Sequence, residues 1–200
     1  MATPQTTSPS FPENLREAGE AYLKLLDKWN GVHSLTGLAP GQRFEGLLLD
    51  SAALLPHLGP ILAGSLVADF GSGMGIPAFL IAAYRPDLIV LAIDRSRKKT
   101  AFVRQVALEL QLGNLRAECS PIESLAPLGA SAGTAKAVGD MGTLLGWWGR
   151  HCAPGAPFFA FKGPNWDCME VGGDWGYEAI PYTLPSMGER AIIRIERKMP

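Results

Sequence analysis

The hydrophobic positions change period near residue 65, and that change divides the chain. Before it, Leu15, Ala18, Tyr22, Leu25, Leu26 and Trp29 recur at three- and four-residue spacing, which predicts an amphipathic helix over Asn14–Trp29 stopped by Asn30-Gly31. A second helical segment runs from Phe44 to Leu55 and ends at Pro56. Beyond it, short apolar runs alternate with helical stretches. Leu66–Phe70 reads as a strand, Ile76–Tyr84 as a helix closed by Arg85-Pro86, and Leu88–Asp94 as a continuous apolar strand. Lys99–Leu110 is helical, with Phe102, Val103, Val106 and Leu110 on one side, and Leu115–Cys119 is a third strand. Strand and helix in this rhythm imply a parallel sheet with right-handed crossovers.

The later part is less regular. Ala126–Gly133 is small and flexible, Thr134–Val138 is the fourth strand, and Met141–Trp148 is a helix whose Trp147-Trp148 pair reads as core and interface, not a ligand stack. Pro157–Phe161 is a strand, Gly163–Gly176 a loop with aromatics, and Ala191–Arg197 a final strand. The chain shows no internal repeat. It reads as a disordered tail over residues 1–13, rich in Thr, Ser and Pro, followed by one domain over residues 14–200. Within that domain, residues 14–64 form a helical cap and residues 65–200 a Rossmann-like α/β core.

Composition narrows the class. The 200 residues are 47% hydrophobic and 18% charged, as expected of a soluble globular domain. A mean hydropathy of +0.10 suits strands buried on both faces of a parallel sheet. A net charge of −1 excludes a protein that coats nucleic acid by charge alone, though not a local patch. Arg95, Arg97, Lys98, Lys99 and Arg104 form one basic cluster, and Arg190, Arg194, Arg197 and Lys198 another. A solvated helix face is the ordinary reading of either. The start of the chain has neither the basic region nor the apolar stretch of a signal peptide, and no membrane span is expected. Cys119, Cys152 and Cys168 are scattered, which suggests a reducing, cytoplasmic compartment with no disulfide framework or zinc site. His33, His57 and His151 are isolated too, so no metal is expected.

The chemistry concentrates in Val67-Ala68-Asp69-Phe70-Gly71-Ser72-Gly73-Met74-Gly75-Ile76-Pro77. Glycine is needed where backbone takes positive φ, or where a ligand lies against the main chain. Three such positions at the carboxyl end of a buried strand point to a nucleotide-like ligand, because open α/β sheets bind ligands there. The dinucleotide fingerprint seats a pyrophosphate on a helix N-terminus and has its third glycine one residue later, where Ile76 stands. Asp69 ahead of the glycines would also repel phosphate. Both features favour a cofactor without phosphate, and S-adenosylmethionine fits, with its zwitterionic amino-acid end and cationic sulfonium. Asp94 ends the second strand, placed to accept from both ribose hydroxyls or, alternatively, to cap the next helix. Glu123, after strand three, either flanks an adenine or caps a turn.

Lys28-Trp29-Asn30, Leu35-Thr36, Leu49-Asp50-Ser51, Asp69-x-Gly-x-Gly-x-Gly-x-Pro77, Arg85-Pro86, Lys98-Lys99 and Lys162-Gly163 occur in an order and spacing that carry a resemblance. Over residues 15–200 the chain resembles the bacterial small-subunit ribosomal RNA guanine-N7 methyltransferase G family, also called glucose-inhibited division protein B. The resemblance implies a class I methyltransferase fold with a mostly parallel seven-stranded sheet. It also implies S-adenosylmethionine as donor and, as acceptor, N7 of a guanine in the decoding-region loop of 16S rRNA in the small ribosomal subunit. By position it places Asp69, Gly71, Gly73 and Gly75 at the cofactor, Asp94 at its ribose, and Ile122 and Glu123 beside its adenine. Lys136 falls where the family has an arginine near the transferred methyl, and Lys162 is the other basic candidate near the acceptor. Ser34, Leu47, Pro121, Lys136 and Ala191 depart from the family pattern, mostly on the side that the resemblance assigns to RNA. Alternatives on the same fold are a methyltransferase with another RNA or a small-molecule acceptor, and a non-catalytic ribosome-binding module. Nothing in the chain demands more than a monomer.

Overall fold

The computed structural model describes residues 7–164 and 173–198. Among these residues, seven strands form one sheet in the order β3-β2-β1-β4-β5-β7-β6. Strands β1 (Leu66–Phe70), β2 (Ile89–Ile93), β3 (Leu115–Glu118), β4 (Ala132–Lys136) and β5 (Phe158–Lys162) run parallel. Strands β6 (Trp175–Leu184) and β7 (Gly188–Arg197) form a hairpin, with β7 antiparallel to β5. The order reverses at β1, which pairs with β2 on one side and β4 on the other. The loops leaving β1 and β4 therefore diverge and open a crevice at their carboxyl ends.

Both sheet faces are covered, which is why the inner strands β1, β2 and β5 read as largely apolar runs. Val67, Ala132, Phe159 and Ile192 meet one core, shared with α1 (Arg16–His33), α4 (Ala78–Tyr84) and α5 (Arg97–Glu109). Ala68, Phe70, Phe158 and Ile193 meet the other, against α6 (Met141–His151). Fully buried Phe70, Phe158 and Trp148 each contribute about 1.5–3 kcal/mol by leaving water. On the first face Tyr22 stacks on Phe79 at 4.6 Å, and its hydroxyl donates to the Met74 carbonyl at 3.1 Å. The cap is thus tied directly to the glycine-rich turn.

Several elements differ from the sequence expectation. Helix α1 continues past Gly31 to His33 and ends at Ser34, whose φ is +50°. Gly31 faces open space, so it only weakens the helix, and Asn30 Oδ1 accepts the Thr36 N–H at 2.8 Å beyond the helix end. The second helix is not uniform: α2 (Pro40–Arg43) leads into a π-helical stretch, Phe44–Leu49, and then α3 (Asp50–Ala52). Strand β4 lies two residues earlier than expected. Gly133, taken as flexible, belongs to it, because a Cβ there would sit 2.5 Å from Phe158 and 2.6 Å from Trp148. Ala137 and Gly139, at φ +56° and +57°, then turn the chain away. Helix α6 extends three residues beyond Trp148, to His151.

Strand β6 begins within the stretch that the sequence marks as loop, Gly163–Gly176, and continues where the sequence predicts no element. Its Pro181 lacks an N–H, which an edge strand tolerates. Part of the expected loop, residues 165–172, lies outside the described residues. The expected disordered tail is corrected from Thr7 onward: the Thr183 N–H donates to the Thr7 carbonyl at 3.0 Å, and Phe11 packs on Phe44 at 5.4 Å. An open edge and an apolar side chain give this segment partners that a reading of composition does not show. Residues 1–6 lie outside the described residues.

Candidate active site

The turn after β1 is built by three glycines with positive φ: +64° at Gly71, +56° at Gly73 and +81° at Gly75. They differ in surroundings. A Cβ on Gly71 would meet Val138 at 2.4 Å, and one on Gly75 would meet Val103 at 2.9 Å, so both are needed for close packing. A Cβ on Gly73 would meet nothing nearer than 4.0 Å, which leaves its backbone open to a ligand.

Asp94 locks this turn. Its Oδ2 accepts the Gly73 N–H at 3.0 Å and its Oδ1 accepts the Ser96 N–H at 2.8 Å. The side chain therefore organises the glycine turn and the entry to α5 together, and it still stands on the wall of the crevice. The two readings of Asp94 are compatible, because a carboxylate has about four acceptor sites.

Asp69 is placed otherwise. It is fully buried beneath the turn, accepting the Thr134 hydroxyl at 2.8 Å and the Ala78 N–H at 3.3 Å. Burial pushes its carboxyl up from 3.8 to about 7, opposed by those two hydrogen bonds and by the Lys136 charge. It supports the loop from below and does not line the cavity, contrary to the direct cofactor contact expected of it.

The crevice has a volume of about 930 Å³. It brings together Gly71, Gly73, Asp94, Ile122, Glu123 and Lys136 from the expected set. Gly75 and Lys162 are not on its wall: Gly75 is turned toward Val103, and Lys162 ends β5 opposite Ala191 of β7. Burial lowers the Lys162 ammonium from its usual value, with Asp140 opposing. Ile122 and Glu123 sit on a short 3-10 turn, and the buried His151 ring places Nε2 3.1 Å from the Ile122 carbonyl. A larger recess of about 1380 Å³ opens at the other end of the strands, beside Ser65, Ser131 and Pro157, and contains none of the glycine-turn residues.

Lys136 is also differently employed from the expectation of a cation facing the acceptor. Its Nζ donates to the Gly46 carbonyl at 2.7 Å, pairs with Asp50 Oδ2 at 2.8 Å and lies 3.5 Å from Ser51 Oγ. Burial lowers its pKa, with Asp50 opposing. Three ammonium protons thus have three partners in the cap.

The wall also includes Leu38, Val138, Gly139 and Trp147, which sequence reasoning missed. The sequence reading assigns Trp147-Trp148 to core and interface and away from a ligand. Only Trp148 is fully buried, while Trp147 meets Phe70 edge-on at 6.5 Å and borders the crevice. The helical phase of α6 separates them, since adjacent residues point about 100° apart. For Gly139, its position just after a strand was the only available signal.

A glycine turn at the topological switch point, a carboxylate ending β2 and bonded into it, and the antiparallel β7 define a class I S-adenosylmethionine-dependent methyltransferase fold. Solved structures agree on that fold. The tRNA (m1A58) methyltransferase TrmI from Aquifex aeolicus superposes with a TM-score of 0.56 at 15% identity, covering 75% of this chain and 69% of its own. TYW2 from P. horikoshii, in complex with MeSAdo, gives 0.58 at 12% identity, with 74% and 62% covered.

Sequence comparison is more specific. A family model described as rRNA small subunit methyltransferase G matches residues 16–170. The ribosomal RNA small subunit methyltransferase G of Cupriavidus metallidurans is 34% identical over 197 residues, covering 89% of this chain and 84% of the relative. The protein of that name from Methylobacillus flagellatus is 44% identical over 118 residues, with 58% and 56% covered. The chain belongs to the rRNA small subunit methyltransferase G family.

Proposed function

We propose that this protein transfers a methyl group from S-adenosylmethionine to N7 of a guanine in 16S rRNA. The observation that carries the reading is the Gly73–Asp94 hydrogen bond. It holds an open backbone and an acid together at one wall of the crevice, as a nucleoside with a free ribose requires. S-adenosylmethionine, when bound, supplies an electrophilic methyl on a positively charged sulfur.

Each residue has a task in this scheme. Gly73 lets the cofactor lie against the main chain, and Gly71, packed on Val138, sets the turn that presents it. Asp94 accepts from the ribose hydroxyls, and Ile122 and Glu123 border the adenine. Asp69 holds the start of α4, and through it the glycine turn, from beneath. Leu38, Leu47, Val138 and Trp147 exclude water near the reacting atoms, which favours loss of the sulfonium charge. Guanine N7 carries a lone pair outside the aromatic sextet, so no side chain has to remove a proton before attack. Alignment is the protein's main contribution, an effect that can supply several kcal/mol. The base must first leave its stack. Lys162 at the end of β5 is the candidate cation for the guanine edge or a phosphate.

The chain's net charge of −1 favours recognition of a structured particle by shape and local patches, so the small ribosomal subunit is the proposed partner, with the protein acting as a monomer in the cytoplasm. Among the described residues no helix is long and apolar enough to cross a membrane. A second reading, another RNA acceptor, draws on one observation: the departing residues Leu47, Pro121 and Lys136 all lie on the crevice wall. Mass spectrometry of 16S rRNA from a deletion strain decides between them. Loss of the N7-methylguanine supports the proposal, and its full retention refutes it.

A further inference from the structure

We propose that Asp50, Lys136 and Tyr182 form a latch that fixes the π-helical stretch Phe44–Leu49 as one wall of the methyl-transfer crevice, making Lys136 a positioning residue and not a substrate-binding cation. Its kinetic consequence rests on the methyltransferase reading above; its structural content does not.

Asp50 is buried, and both carboxylate oxygens are occupied. The Tyr182 hydroxyl donates to Oδ1 at 2.7 Å and the Lys136 ammonium to Oδ2 at 2.8 Å. Three distant parts of the chain meet there: the cap, the end of β4, and the β6–β7 hairpin. The same ammonium reaches the Gly46 carbonyl inside the π-helical stretch. A second attachment comes from the hairpin tip, where Glu45 Oε1 accepts the Ser186 N–H at 2.6 Å and the Met187 N–H at 3.2 Å. The fit is close as well as polar. A Cβ on Gly46 would lie 2.7 Å from Met187 Cε and 3.0 Å from Leu38 Cδ1.

The backbone explains why a latch is needed. A π-helical turn is rare and poorly stabilised by itself, so its persistence depends on what packs against it. Relaxation to a regular α-helix removes the extra residue and turns the side chains on one side of it by about 100° relative to the other. Gly46 and Leu47 lie within this stretch and form part of the crevice wall, so a relaxed turn would move that wall. Removing either partner of the Lys136–Asp50 pair leaves the other charge buried and alone, which ties the wall to an intact latch.

Hydrogen exchange on the full-length protein tests this directly. Tyr182→Phe removes one hydroxyl and keeps the ring, whereas Lys136→Met removes the ammonium and Lys136→Arg retains the charge. The latch predicts at least tenfold faster exchange across residues 44–52 in Tyr182→Phe and Lys136→Met, with β1 and β2 unchanged and partial recovery in Lys136→Arg. It also predicts a roughly tenfold lower kcat, with the S-adenosylmethionine Kd within threefold of wild type. Exchange at 44–52 within twofold of wild type in both variants overturns the latch. So does equal acceleration throughout the sheet, which would mark general destabilisation. The salt dependence of RNA binding separates positioning from contact: an unchanged slope in Lys136→Met supports the latch, and a slope smaller by about one marks a phosphate contact and overturns it. If 44–52 loosens as predicted but wild-type protein transfers no methyl to 16S rRNA, the latch stands and the functional reading fails.

Discussion

Replacing Asp69 by Asn removes a charge from the most buried acid among the described residues with little change of shape. The amide oxygen can accept the Ala78 N–H and the amide nitrogen can donate to the Thr134 hydroxyl, so both attachments survive. In the wild-type protein burial raises the Asp69 carboxyl from 3.8 to about 7. An acid whose pKa is raised by folding holds its proton more tightly when folded. The stability this confers is fully present below about pH 4 and is lost as the pH rises through about 7. A rise of about three pH units corresponds to about 4 kcal/mol, accumulating at about 1.4 kcal/mol per pH unit and levelling off above pH 7. Urea unfolding of both proteins at half-unit steps from pH 4.5 to 8 measures it. The stability of wild type relative to Asp69→Asn should fall steadily across that range until about pH 7. Groups common to both proteins cancel in the difference, including His151, whose pKa burial lowers and whose contribution is lost as the pH falls. A difference constant to within about 0.5 kcal/mol between pH 5 and 7 refutes the reasoning, because it means that Asp69 is ionised throughout.

Other substitutions probe the crevice. Asp94→Ala removes an acceptor that a ribose would use twice, each charge-assisted bond being worth about 1.5–3 kcal/mol, so calorimetry should show S-adenosylmethionine binding weakened at least 100-fold; a loss under fivefold contradicts the ribose role. Gly71→Ala puts a Cβ 2.4 Å from Val138 at a φ of +64°, and should destabilise the protein by roughly 2–4 kcal/mol in urea unfolding. Adding Val138→Ala should recover part of that loss, and no recovery would locate the strain in the backbone alone. Lys162→Met should leave cofactor affinity unchanged and reduce the salt slope of RNA binding by about one; an unchanged slope removes Lys162 from the RNA contact.

How much of this was legible in the chain depends on the range of the interaction. Strands β1, β2 and β5 were placed within a residue or two because they are largely buried and written as apolar runs, interrupted in β1 by Asp69. Strand β3, an edge strand reading Leu-Arg-Ala-Glu, was placed as closely although only Leu115 is buried. Helices α4 and α5 were equally visible from their apolar spacing and from the Arg85-Pro86 stop. Strand β6 was not, since an edge strand with Gly176, Glu178 and Pro181 has neither alternation nor a continuous apolar run. The π-helical turn left no mark either, because its spacing differs from an α-helix by one residue and its stability comes from Lys136, Ser186 and Met187, far away in sequence.

The candidate site divides along the same line. Gly71, Gly73 and Asp94 were readable because local backbone geometry requires them: positive φ admits glycine, and an acid ending the second strand stands where the loop and a ribose both need an acceptor. From residue order alone came the doubly wound core, the glycine turn and the donor chemistry. Folding decided which charges face the crevice. Asp69 and Lys136 were both read as site residues from their places in the sequence, yet Asp69 lies under the turn and Lys136 is engaged by Asp50. The direction of a side chain near a strand end depends on what packs against it, and those partners are distant in sequence: Thr134 of β4 for Asp69, and Gly46, Asp50 and Ser51 of the cap for Lys136.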